Sequence, residues 1–441
     1  MEKVIKRKVS PYEEVILNYI SKLNSQIQTV PTLFNILSAQ TVASVQKVRS
    51  FVSKHGSEEK DDDGKDIIKM PLDYSRAFDR LVANMNNSFQ ALENVGRNAV
   101  VAMVSMYDAY IGSLVKVIYS DMPQLLNQSQ KDFKLNNILL YKDFEELKEV
   151  VIEDEIETLL RKSHIEQLKW LESKLEMPLT EFKALPLFVE LMERRNLFVH
   201  ANGIISRHYL EICDKYNIQL EEKTKIGNQL YADSDYVFKS YEILFQTGCM
   251  LGFVLWHKIR QTEGEELTNY LSDVCYDIIK EGQYDLAVAM IDFALDNKSF
   301  KKHINHASLL VFLINKALAF HLNNKQNECL AIVNKIDLSA AEPVYKLAAA
   351  ILKVDYEEAI ALMDQIGNVP RMRRDYKEWP LFTKFREEES FKKKYKEIYN
   401  EEYICLEVRK PKFEEILESA EKMVEQDGDD KREDNVNINK D

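Results

Sequence analysis

The chain has 441 residues, a formal net charge of −13, 45% hydrophobic and 30% charged residues, and only 12 Gly and 10 Pro. That length allows two or three domains with their own cores, and the scarcity of turn residues excludes a fold of many short strands in favour of an all-α or mainly-α one. The negative charge excludes wholesale binding to nucleic acid, because phosphates reward a positive surface; residues 401–441 hold fourteen acidic and seven basic residues, about half of the excess, so any nucleic-acid contact is local.

No uninterrupted apolar run reaches the roughly eighteen residues of a membrane span; the longest candidate, "NAVVAMVSMYDAYIGSLVKVIY", is broken by Asp108 and Lys116. The N-terminal "MEKVIKRKVSPYEE" is basic but lacks the apolar stretch and cleavage site of a secretory signal. A cytoplasmic protein with no membrane contact is the expectation. Cys213, Cys249, Cys275, Cys329 and Cys405 form no CxxC pair, so neither a zinc site nor a disulfide framework is expected, and the thiols read as reduced and mostly buried.

In chain order, apolar residues from Tyr12 to Val52 recur at helical spacing and predict two helices separated near Pro31. Residues 1–54 form this pair, and 55–71, within "KHGSEEKDDDGKDIIKMP", read as a charged linker. A helix of more than forty residues begins near Asp73, with Gly96 a candidate bend or end. A second pattern runs from Asp143 to Leu175, a third from Thr180 to about Ala201, and a fourth over "SDYVFKSYEILFQTGCMLGFVLWHKI". Together, residues 72–265 describe a helical bundle.

From 266 to 400 the chain turns to paired shorter helices, each with a polar turn before an Ala-containing apolar helix, in "IKEGQYDLAVAMIDFAL", "HLNNKQNECLAIVNKI" and "LKVDYEEAIALMDQI". Aligning Ala287, Ala331 and Ala359 gives an irregular period, and the array resembles degenerate tetratricopeptide-type repeats. "WPLFTKFREEESFKKKYKEIY" looks like its closing helix. Residues 401–441 are an acidic segment, expected to be disordered from about 427.

One motif carries chemistry. Arg195-Asn196-Leu197-Phe198-Val199-His200 fits R-N-x-x-x-H, preceded by Glu193 and followed by Asn202-Gly203. It resembles the signature of HEPN domains (higher eukaryotes and prokaryotes nucleotide-binding), four-helix bundles many of which are metal-independent ribonucleases; the resemblance covers about 72–260. The residue types suit that chemistry on their own account. An imidazole with an unperturbed pKa near 6.5 can accept or donate a proton near neutrality, so His200 fits either task. An arginine offers a planar fork of donors for phosphate oxygens, which suits Arg195. Asn196, four residues before His200, shares its helical face and can orient the imidazole or bind phosphate. Arg195 lies five positions from His200, about 140° round the helix, so one motif makes a thin site.

The resemblance implies a homodimer whose two motifs form a composite site, with Arg195, Asn196 and His200 catalytic and Glu193 and Asn202 supporting. It further implies RNA as substrate, products ending in 2′,3′-cyclic phosphate and 5′-OH, no cofactor and no metal. The domain combination looks like the toxin-type effectors of bacterial antiviral defence, with a protein trigger or inhibitor on the repeats. A non-catalytic scaffold or adaptor that binds RNA, nucleotide or a partner protein is the second reading: Arg194 and Arg195 also suit a helix C-terminal dipole, and Asn202-Gly203 a left-handed cap.

Other candidates read as structural. His303 and His306 have metal-compatible spacing without a third ligand. His164, His208 and His257 stand alone in sequence, and Tyr209 is assigned to packing. The carboxylates from Glu145 to Glu157 read as a solvated face, and "RMRRD" as an exposed turn. No P-loop, dinucleotide or serine-hydrolase motif is present.

Overall fold

The computed structural model describes residues 9–60, 66–128, 138, 141–222 and 224–404. Of the described residues 77% are helical, in 16 helices, and 3% form strand, so the all-α expectation holds. Cys405 and the tail expected to be disordered lie outside the described residues.

The first helix, α1 (Pro11–His55), is single where a pair is expected, and Pro31 lies inside it. An interior proline costs roughly 3 kcal/mol, because it has no N–H for the carbonyl four residues back and its ring crowds that turn. Apolar burial continues on both sides: Tyr12, Ile16, Tyr19 and Leu23 before it, Ile27, Val30, Val48 and Val52 spanning it and beyond. At roughly 1.5–3 kcal/mol for each fully buried aliphatic side chain, this outweighs the break.

The described part of the expected linker is a hairpin, β1 (Ser57–Lys60) antiparallel to β2 (Asp66–Lys69), in register Ser57 to Lys69. Next, α2 (Leu72–Asp121) runs through Gly96 without ending. A Cβ at Gly96 would collide with the carbonyl of Ala232, so this glycine serves close approach, not a bend.

An eighteen-residue window of α2 has a mean hydropathy of 1.4, enough by length and composition to cross a membrane, although 44% of that window is buried within the protein. Asp108 and Lys116 interrupt the stretch without lowering its average below that level. Val100, Met103, Val104, Tyr107, Tyr110, Ile111, Leu114 and Val115 form its buried stripe, the pattern of a core helix.

Two compact units divide the chain. One holds the described residues up to Asn24 with those in Val100–Leu230 and Phe238–Tyr403; the other holds those in Ser25–Ala99 and Tyr231–Val237, with Ile404. In the second, Thr41 donates to the carbonyls of Leu37 and Ser88.

The first unit continues with α3 (Phe144–Leu160), α4 (His164–Leu175), α5 (Leu185–His200), α6 (Arg207–Lys215) and, from Phe238 on, α7 (Ser234–Ile259). The single pattern expected from Asp143 to Leu175 is thus two helices. Ser163 caps the second, accepting from the N–H of Glu166, whose carboxylate in turn accepts from the N–H of Ser163, a capping box that restarts the chain at His164. The third helix starts at Leu185 instead of Thr180, because the Glu172 carboxylate takes the N–H groups of Leu179 and Thr180.

The start of α1, the end of α2 and α7 interlock through aromatic side chains. Tyr19 donates to the carbonyl of Leu244 (2.8 Å), Tyr110 to that of Gly248 (2.9 Å), and the two rings stack at 4.1 Å. Any Cβ at Gly248 would strike the Tyr19 ring, and one at Gly252 the Tyr110 hydroxyl. Beyond them, Arg260 makes two bonds to Asp121 and one to Glu263.

Helix pairs follow: α8 (Gly264–Lys280) with α9 (Tyr284–Asp296), then, after the short α10 (Lys298–Lys301), α11 (His306–Leu322) with α12 (Gln326–Val333), and α13 (Pro343–Leu352) with α14 (Tyr356–Ile366). Within each pair the two helices pack together, and α11 packs on both α8 and α13. The three turns share one design. Gly282, Asn324 and Val354 are left-handed, and Gln283, Lys325 and Asp355 donate to the carbonyls five residues back, those of Ile278, Phe320 and Ala350.

Counted from these turns, the buried small residues in register are Ala287, Cys329 and Ala359, all fully buried, whereas Ala331 is exposed. The residue to align in the middle pair is therefore Cys329. From 282 to 324 and from 324 to 354 the steps are 42 and 30 residues. "RMRRD" lies in a helix, α15 (Pro370–Glu378), not in a turn, and the closing helix is confined to α16 (Glu389–Tyr399).

Candidate active site at the end of the fifth helix

Helix α5 buries Phe188, Val189, Leu191, Met192, Leu197 and Phe198, so the Leu-Phe part of the hexapeptide packs, while Val199 is 46% exposed. The helix ends at Asn202-Gly203, where both residues have positive φ (50° and 78°). The carbonyl of Leu197 accepts from Ala201 and Gly203, both at 2.9 Å. The chain beyond is tied down: Leu230 donates to Gly203, Ile205 to Asn228, and Gly227 to Ile205, so the expected left-handed stop is also a fixed turn.

The polar residues divide into three groups. Arg194 turns back along the helix to Glu190 (2.6 Å), whose carboxylate also accepts from the Tyr209 hydroxyl at 2.7 Å. Glu190 is 7% exposed, a buried charge that these two donors satisfy. Burial, and then the Glu190 carboxylate, hold the Tyr209 phenol well above its ordinary range. Tyr209 packs with Leu197, Ile205 and Cys213 as well.

Arg195 does not follow its neighbour. Its Nη1 donates to Asn196 Oδ1 at 3.2 Å and its Nη2 to Asp108 Oδ2 at 3.1 Å. The other Asp108 oxygen lies 2.8 Å from Nε2 of His164. Asp108 therefore bridges an arginine and an imidazole from two other helices. The packing that makes this possible is aromatic: Tyr107, next to Asp108 on α2, meets Phe188 of α5 at 5.3 Å and His164 at 6.0 Å. The Nε of Arg195 is buried and has no acceptor among the described residues.

His200, at the last position of α5, is exposed. Asn196 pairs with Arg195 and makes no hydrogen bond to His200 among the described residues, so the expected orienting of the imidazole is replaced by orientation of the guanidinium. Glu193 lies 3.7 Å from the His208 ring, and the backbone carbonyl of Asn202 accepts from Gln229. Of the five residues expected at the site, the fold thus brings Arg195 and Asn196 into contact and leaves His200 as a separate exposed group.

Sequence reasoning missed Asp108, His164 and Glu190. A signal existed for each: Asp108 is a lone acid in an apolar helical stretch, which needs a partner when buried; Ser163 and Glu166 flank His164 with a capping-box spacing; and Glu190 stands four residues before Arg194. His303, which reads as structural in the sequence, contacts His257, with 3.3 Å between their Nε2 atoms. Among the described residues no group of three His, Cys, Asp or Glu side chains is placed to hold a metal ion.

The fold and these contacts define a helical protein with an arginine–aspartate–histidine cluster beside the end of one bundle helix. No family model matches the chain, and no curated protein or solved structure matches it.

Proposed function

We propose that this chain is a metal-independent endoribonuclease of HEPN type, acting in the cytoplasm. The observation that carries the reading is that the R-N-x-x-x-H residues end one helix with Arg195 and Asn196 hydrogen-bonded to each other and His200 exposed past them. In the reaction an imidazole takes the proton of an RNA 2′-OH, O2′ bonds to phosphorus, and the P–O5′ bond breaks. A second imidazole protonates the leaving O5′, and guanidinium donors offset the charge on the five-coordinate phosphate. The products are a 2′,3′-cyclic phosphate and a 5′-OH. Two copies of the chain supply two His200 side chains to one cleft.

The helix pairs resemble tetratricopeptide repeats, and a groove of about 750 Å³ lined by α8, α11, α13 and α15 offers a dock for a protein trigger or inhibitor. That arrangement suits a restrained toxin or antiviral effector. A scaffold that only binds is the second reading, favoured by the commitment of Arg195 to Asp108 within the chain.

The test is cleavage of labelled RNA in EDTA by wild type, His200→Ala and Arg195→Ala, with product ends mapped. Both variants are expected to lose activity by about a hundredfold or more. Undiminished cleavage by a folded His200→Ala protein would sink the mechanism.

A further inference from the structure

The arginine that the ribonuclease reading depends on is held by its immediate neighbour and by a carboxylate 87 positions away. Asp108 takes Nη2 with one oxygen and the His164 ring with the other, and Asn196 takes Nη1. Resting on that reading, we propose that Asp108, clamped from its far side by His164, is the positioning residue that aims the Arg195 guanidinium at the scissile phosphate.

A free arginine side chain samples many rotamers, and a planar fork serves a phosphate only when its plane is fixed. Acceptors on Nη1 and Nη2 fix that plane here. Asp108 needs an anchor of its own, and His164 supplies it. The His164 side chain is 11% exposed, lies against Tyr107 and Phe188, and opens a helix whose start the Ser163–Glu166 capping box sets. A carboxylate that accepts from Nε2–H also selects the imidazole tautomer. The line of support therefore runs from the capping box through His164 and Asp108 to Arg195. The fork keeps unused donors, among them the buried Nε–H.

The proposal separates from two simpler roles for Asp108. As a bystander charge it would repel a phosphodiester, and its removal would tighten RNA binding and quicken cleavage. As a purely structural ion pair, its removal would lower stability, binding and cleavage together. Positioning gives a third signature: binding kept or tightened while cleavage slows.

The experiment measures single-turnover RNA cleavage and binding of a non-cleavable 2′-deoxy oligonucleotide for the full chain, with Asp108→Ala, Asp108→Glu and His164→Gln beside wild type and His200→Ala. Asp108→Ala is expected to cleave about tenfold more slowly, with binding unchanged or tighter; Asp108→Glu recovers part of the rate, and His164→Gln shows the same pattern more weakly. Wild-type cleavage by Asp108→Ala overturns the inference and leaves the ribonuclease reading standing. Cleavage that survives His200→Ala sinks the reading and the inference with it. A readout independent of activity is the Arg195 Nε–H resonance, assigned by its loss in Arg195→Lys. Slow exchange with water in wild type and fast exchange in Asp108→Ala are expected, and equal exchange overturns the inference whether or not cleavage is seen.

Discussion

Gly203 shows how a single residue fixes the reach of the site. Its φ of 78° lies where an L side chain is strained, and a Cβ there would approach the carbonyl of Leu230 to 2.7 Å. Gly203→Ala should therefore cost about 1–3 kcal/mol, from the backbone conformation and the forced shift together, read as a lower urea midpoint with unchanged helix content. A midpoint equal to wild type would mean that the turn after α5 relaxes freely, and that His200 is not presented from a fixed end. Asn202 shares the left-handed conformation at less strain, since asparagine tolerates it better than most residues. The pair was legible as a helix stop from the sequence alone. Its anchoring to 228–230 was not, because those contacts reach across α6 to a stretch beyond it, a range that no local spacing encodes.

Among elements, the histidine contact between the end of α7 and the turn after α10 makes a pH prediction. Burial, then the neighbouring His303 and Lys302, lower the His257 pKa below its ordinary value. His321 is likewise lowered, by burial against an opposing bond from Gln326. Both groups bind protons more readily in the unfolded chain, so their contribution is present above the ordinary imidazole pKa near 6.5 and is lost as pH falls through the folded values. The urea midpoint should drop between neutral pH and about 5, and replacing both residues by Gln should flatten that part of the curve. An undiminished slope in the double variant would assign the effect to other groups.

The same elements show where sequence was sufficient. α7 matches its expected span from Ser234 to Ile259 because its apolar pattern is continuous and its ends are polar. Conversely, α1 is one helix across Pro31 because tertiary burial overrode a local breaker. The break at Ser163 went unread because apolar spacing continues across it, although the cap that causes it is written in four residues. For the site, Arg195, Asn196 and His200 were legible as residue types at a spacing. The contact of Arg195 with Asp108 spans 87 positions, and no local pattern encodes a pairing of that range.

For the whole molecule, the net charge of −13 makes a claim about RNA that does not depend on the rate of cleavage. With Arg195 as the cationic contact, doubled in a composite site, about two phosphates are neutralised. The logarithm of affinity for a single-stranded oligonucleotide should then fall against the logarithm of salt with a slope of about −1.5. Fluorescence anisotropy across a range of KCl concentrations measures it. A slope steeper than about −5 would require an extended basic surface, contrary to a local site on an acidic protein.

The unequal steps between the three helix pairs have a consequence for how this part of the protein can change. The first step exceeds the second by 12 residues, and the stretch between α9 and α11 holds α10 and His303, the residue that touches His257 on α7. Regular arrays grow and shrink by whole copies of a unit, since every junction is equivalent. Here the surplus lies in the helices themselves, since α9 and α11 have 13 and 17 residues against 8 and 10 in α12 and α13, while the joining stretches 297–305 and 334–342 are equal in length. The first of these joins also carries the contact of His303 with His257 on α7, so a unit copied in at this point would part the array from that bundle helix unless the contact were copied with it.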